Sequence, residues 1–355
     1  MKKFPSISMW RTLSAVALVW AGAVQAQSSV TLYGSLDVGL QYANKAPSSS
    51  QKNAGDSFAF STSGLVPSNF GLTGHEDLGG GLKANFDLES GINLGTGGAG
   101  ASNGNFFGRR AWVGLSGGFG EVRMGLQFSP FYETEINSDP RFYSGFGSGV
   151  NMYANNVGLT GVVNSNAISY RSPNLAGFQG IVMFAPGGVA GNFQAGQQWS
   201  ASARYENGFI ALDAAVYHGN AGGTPTPVLT TAAYDGRTIG VALHFGSLSI
   251  RSTVTNFHVA GSFDEYVYAF GGDDYITPAL NLNAGVYYST DAHNSANHSF
   301  MPAIGVSYSL SRRTLLYTQV AMVRNYGTMT NGLTAYPGVP QTATVGANIG
   351  IKHSF

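Results

Sequence analysis

The chain has 355 residues, of which only 10% are Asp, Glu, Lys or Arg, against ~25% in an ordinary soluble domain. Its 18 basic residues match its 18 acidic ones, which leaves no basic footprint for nucleic acid. With no cysteine, no disulfide framework can stabilise it.

Residues 1–26 read as a cleaved secretory signal. Lys2, Lys3 and Arg11 supply a positive start, residues 12–24 are apolar but too short to span a bilayer, and Val24-Gln25-Ala26 is a small-x-small cleavage site. An uncleaved N-terminal anchor is the competing reading of this stretch. Cleavage leaves 15 basic and 18 acidic residues, a formal charge of −3. No later apolar run reaches the ~20 residues of a spanning helix, so residues 27–355 are expected to form one domain without a helical anchor.

The mature chain opens on a strand pattern. Val30, Leu32, Leu36, Val38, Leu40 and Tyr42 share one phase, and Thr31, Tyr33, Ser35, Asp37 and Gln41 share the other. Successive side chains of a strand point to opposite faces, so one face is oily and the other wet. A soluble sandwich would alternate in the same way. The distinction comes from number and connection. Similar segments recur around Phe70, Leu82, Ala111, Val122, Ile168, Gln179, Trp199, Ile210, Ile239, Leu248, Tyr266, Leu280, Ile304, Leu316 and Val345, making sixteen. Tight turns follow even-numbered segments and longer polar stretches follow odd ones. That asymmetry, with an even count, is expected of an all-β, 16-stranded antiparallel transmembrane β-barrel with short periplasmic turns and long outer loops. Closing the sheet pairs every backbone group, as lipid demands. Sixteen strands leave an aqueous channel, where about eight fill their bore with side chains.

One stretch breaks the pattern. From Gln127 to Ser165 the alternation stops, and the segment carries Glu133, Glu135, Asp139, several aromatics and several glycines. A long loop of this kind inside a compact domain usually carries function. It is expected, over about 129–165, as an inward-folded constriction loop without regular structure.

At this point the residues match a known family. VTLYGSLDVGLQYANK, NFGLTGHEDLGGGLKANFDLESG, RRAWVGLSGGFGEVRMGLQFSPFY, AISYRSPNLAGF and the ending GIKHSF resemble the trimeric general-diffusion porins of β-proteobacteria and Neisseria, Gram-negative outer-membrane proteins. The resemblance covers essentially the whole mature chain. It implies a homotrimer in contact with outer-membrane lipid and lipopolysaccharide, passing ions and small solutes. It also implies that Ile349, Ile351 and Phe355 on the final strand look like the signal read by the outer-membrane assembly machinery. The sequence departs from the family at the eyelet. Asn69 stands where arginine is common, and Thr73 and Ser169 stand where basic residues are frequent, so anion preference does not carry over.

Selectivity at a constriction depends on its width and on the charges lining it. Arg110 is inward by alternation and near mid-barrel; Arg123 and Arg171 are inward closer to the periplasmic end; Arg204 and Arg251 are inward on later strands. The loop carboxylates Glu133, Glu135 and Asp139 would face them across the gap, and each charge could line the path or pin the loop. Arg109 falls in the outward phase and carries less weight. Asp273-Asp274 reads as a periplasmic turn. Tyr42, Trp199, Tyr205, Tyr288 and Tyr308 read as interfacial girdles. His293 and His298, five apart in a loop, read as solvated rather than metal-binding, and no cofactor is implied. Passive diffusion competes with two alternatives: a substrate-specific channel with a saturable site, and an outer-membrane barrel hydrolase, for which no Ser-His-acid set clusters.

Overall fold

The structure, a computed structural model, describes residues 29–157, 161–223 and 232–355; the expected leader lies outside these residues. Seventeen strands join into one antiparallel sheet. They are β1 (Ser29–Ala43), β2 (Ser57–Ser61), β3 (Asn69–Gly79), β4 (Leu82–Gly91), β5 (Arg110–Gly117), β6 (Gly120–Phe128), β7 (Val163–Arg171), β8 (Phe178–Ala185), β9 (Gln198–Glu206), β10 (Ile210–Gly219), β11 (Tyr234–Phe245), β12 (Leu248–Val259), β13 (Asp264–Tyr275), β14 (Leu280–Asp291), β15 (His298–Ser309), β16 (Thr314–Asn325) and β17 (Ala343–Ser354). β2 and β3 pair with the upper and lower parts of β1, which makes them two halves of one stave. The result is a closed barrel of sixteen staves, as the alternation predicts. β1 completes the ring by pairing with β17 from Ser35↔Ser354 to Ala43↔Gly346. Below that run, Phe355 exchanges both backbone hydrogen bonds with Gly34, at 3.1 Å each.

The split stave is a feature the alternation does not reveal. Residues 62–68 leave the sheet and fold inward, opposite Asp37 on β1. In lipid an unpaired backbone group is costly, and here side chains take over the ladder. Ser68 Oγ accepts from the Asp37 N–H and donates to the Asp37 carbonyl, both at 2.9 Å. The Asp37 carboxylate accepts from the N–H groups of Leu65 and Val66 at 2.7 and 2.8 Å, and from the Tyr317 hydroxyl.

The loop between β6 and β7 turns into the barrel and contains two helices, α1 (Pro130–Ser138) and α2 (Gly149–Val157). The expectation of a loop without regular structure is corrected here. Ordinary capping chemistry starts α1: Ser129 accepts from the Tyr132 N–H, Pro130 sits in the first turn, and Glu133 lies where a carboxylate suits the helix dipole. Asp273 is also not in a turn. It lies within β13, facing inward.

Apolar packing follows from this topology. Outward side chains such as Leu212, Val216, Ile239 and Val254 are exposed to lipid, while a buried aromatic layer of Phe131, Tyr153, Tyr217 and Phe257 fills the space between loop and wall. Phe257 meets Tyr153 at 4.9 Å, edge to face. The molecule's main apolar core is thus the glue under the loop.

Candidate functional site: the constriction of the bore

The wall is shaped to receive the loop. On β11 the inward positions Gly236 and Gly240 carry no side chain. A Cβ there would lie 2.8 Å from the Phe131 ring and 2.4 Å from Ser138 Oγ, so α1 can lie flat against the sheet only because both are glycine. The Phe131 N–H donates to Ser200 Oγ on β9 at 3.1 Å. At the far end Gly147 N–H donates to the Leu333 carbonyl, and the Gly145 N–H donates to Leu65 in the inward segment of the split stave. The loop therefore runs around the inner wall from β9 to β16 and meets the chain again beside β1.

The three loop carboxylates part company. Glu135 and Asp139 are 5% and 2% exposed. Glu135 accepts from Tyr143 and from Thr255 on β12, both at 2.8 Å. Asp139 accepts from the N–H groups of Arg141, Tyr143 and Gly149 at 2.7, 3.1 and 3.0 Å, and from Tyr287 on β14 at 3.0 Å. Burial pushes both carboxyls above their ordinary range, partly offset by these donors. Both anchor the loop from beneath, contrary to the expectation that they face a basic wall. Glu133 differs. Its side chain is 26% exposed and meets Arg171 on β7 at 2.6 Å.

The wall arginines, too, find other partners than expected. Arg110 reaches Glu89 and Asp87 on β4 at 3.2 and 3.5 Å, and Tyr33 donates to the same two carboxylates at 2.9 and 2.7 Å. Arg109, read from phase as outward, pairs with Glu89 and shares the Phe128 ring with Arg110. Arg123 pairs with Glu121 and lies 4.3 Å from the Trp112 ring. Arg204 reaches Asp213 and Glu206, both at 2.8 Å. Arg251 pairs with Asp273 at 2.5 Å. Strands lie ~4.8 Å apart, so a carboxylate on the neighbouring strand or two residues along reaches a guanidinium that the far wall cannot. Only Arg171–Glu133 joins wall to loop among the described ion pairs. Asn69 begins β3 facing inward, its Nδ2 donating to the Pro67 carbonyl at 3.0 Å.

A closed barrel, a wet inner face and a docked inner loop can now be set beside known chains. A family model described as Gram-negative porin matches residues 12–328. The chain belongs to that family. Outer membrane porin protein 32 of Delftia acidovorans is 33% identical, across 98% of this chain and 100% of its own length. The major outer membrane protein P.IB of Neisseria gonorrhoeae is 28% identical across 85% and 90%. Among solved structures, an anion-selective porin from Comamonas acidovorans superposes with a TM-score of 0.78, at 28% identity, over 93% of this chain and all of that one. The protein is an outer-membrane porin, and its family and fold are those of a passive diffusion channel.

The residue of this porin most easily overlooked in the sequence is Arg141. It is 3% exposed. Nε donates to Asn283 on β14 at 2.9 Å, Nη1 to the Phe146 and Gly147 carbonyls at 2.8 and 2.5 Å, and Nη2 to Gln319 on β16 at 2.6 Å. Burial holds its guanidinium below the usual arginine range. Gly305 makes room, since a Cβ there would lie 3.0 Å from Nη2. The signals were faint: an arginine after Asp-Pro in the loop, and an inward glycine on β15.

Proposed function

We propose that the conducting unit is a homotrimer of these barrels, exported behind a cleaved leader at residues 1–26, and that it selects weakly by charge. The observation that carries the charge reading is that each of the wall guanidiniums Arg109, Arg110, Arg123, Arg204 and Arg251 already has a wall carboxylate within 3.5 Å. A compensated wall leaves little net field for either ion sign, and what remains is screened over ~8 Å at physiological salt. The Comamonas relative is described as anion-selective; here Asn69 in place of the family's arginine argues against the same preference. Arg110, Arg204 and the Glu133–Arg171 pair, with side chains 26% to 35% exposed, are the inward charges most open to permeating solutes. Glu135 and Asp139 hold the loop. Ile349 and Ile351 lie exposed on the outer face with Phe355 at the seam, a placement suited to recognition by assembly machinery and to contact with lipid and lipopolysaccharide. Purified protein in planar bilayers should conduct in steps, three per insertion event, with a small reversal potential across a salt gradient. A silent membrane at high protein load, or a reversal potential near the full anionic limit, would overturn this reading.

A further inference from the structure

The residue at the bend of the constriction loop remains to be explained. Phe142 and Tyr143 both have positive φ, 55° and 56°, a region that bulky residues rarely adopt. Tyr143 is held there by Glu135 and Asp139. Phe142 is not buried by the arrangement: it stays 48% exposed. One face of its ring covers the Arg251 guanidinium, 4.1 Å from centroid to Cζ. Arg251 points inward from β12 and is itself only 7% exposed, so the uncovered part of the ring borders the water-filled bore.

An apolar ring left in water beside a permeation path, in a backbone conformation that costs energy, is not needed to close the loop. We infer that Phe142, backed by Arg251, is a stacking subsite that retards planar aromatic solutes as they pass the constriction. The inference rests on the pore reading above. Arg251, paired with Asp273, keeps the ring at a fixed tilt and prevents it from collapsing onto the wall. A planar solute can then lie on the open face as one aromatic ring lies on another. A saturated ring of similar size cannot match that contact.

The test is single-channel recording with benzoate and with cyclohexanecarboxylate, two carboxylates that differ in whether the ring is aromatic. Benzoate should interrupt the wild-type current with residence times about two- to tenfold longer than the saturated acid. F142L, measured against its own current in salt alone, should lose that difference, and F142Y should keep it. A conducting wild type that treats both acids alike, or F142L discriminating as strongly as wild type, overturns the subsite and leaves the pore standing. A wild type that never conducts overturns both.

Discussion

The sharpest consequence of the docked loop concerns Arg141. Replacing it with alanine removes hydrogen bonds to Asn283, Phe146, Gly147 and Gln319 at one stroke. A hydrogen bond from a charged donor contributes about 1.5–3 kcal/mol net of its exchange with water, but the four are not additive. In the wild type the guanidinium regains its hydration when the loop undocks, and in R141A Gln319 Oε1 keeps the Ser144 hydroxyl at 2.8 Å. The net loss for the docked state is therefore about 2–4 kcal/mol, and the undocked population should rise by roughly 30- to 1,000-fold. R141K should fall between, because a compact ammonium cannot reach acceptors spread over β14, β16 and the loop itself. The assay is backbone hydrogen exchange at residues 139–151 alongside single-channel current noise. R141A should lose protection there and flicker, while β11–β17 stay protected. Unchanged exchange and quiet current in R141A would show that Arg141 does not hold the loop.

Other consequences can be checked with the same preparations. D37A should free residues 62–68, lowering thermal stability by about 2–4 kcal/mol, since Leu65 N–H, Val66 N–H and the Tyr317 hydroxyl lose their acceptor; a melting curve identical to wild type would count against the side-chain seal. E133Q should move the reversal potential toward anions and E135Q should leave it alone, because only Glu133 is open to the bore; equal shifts from both would mean the loop sits differently. The buried carboxyls of Glu135 and Asp139 bind protons more readily docked than free. Their contribution is thus fully present below the free carboxylate range near ~4 and declines as pH rises through that range toward the raised values. Protection at 139–151, taken relative to the intrinsic amide exchange rate at each pH, should accordingly rise as pH falls from 7 toward the free carboxylate range, and less so in E135Q. Protection that falls on acidification would reverse the sign of this argument. Deleting Phe355 should impair assembly, since its backbone exchanges both hydrogen bonds with Gly34 at the seam; normal heat-resistant barrel yield would refute that.

The barrel was legible because its rule is local. A residue two steps away in sequence lies on the same face whatever its neighbours do, so phase alone separates Leu212 from Asp213. The same rule failed at β2 and at residues 62–68, where Asp37 and Ser68 replace the ladder with side-chain atoms. Nothing in the spacing of STSGLVPSN announces that exchange. It also failed at Arg109, which precedes the first residue of β5 and need not obey its phase.

The site was less legible for a different reason. Which side chain is inward follows from alternation, but which inward charges meet follows from register, and register is a property of two strands. Glu89 opposes Arg110 and Asp213 opposes Arg204 as direct cross-strand partners. Reading the arginines without the carboxylates one strand away made them look like a bare basic wall awaiting an acidic loop. Once turns fix the register, those pairs become nearest neighbours, and the loop must find other contacts. It finds Thr255, Tyr287, Asn283 and Gln319, neutral groups on the opposite arc, with Gly236 and Gly240 beneath α1. The division has a physical logic. A loop whose buried charges bond to neutral partners under a roof of protein is less sensitive to salt than one held by exposed ion pairs, so the constriction can keep its shape while the ions it screens rise and fall in concentration around it.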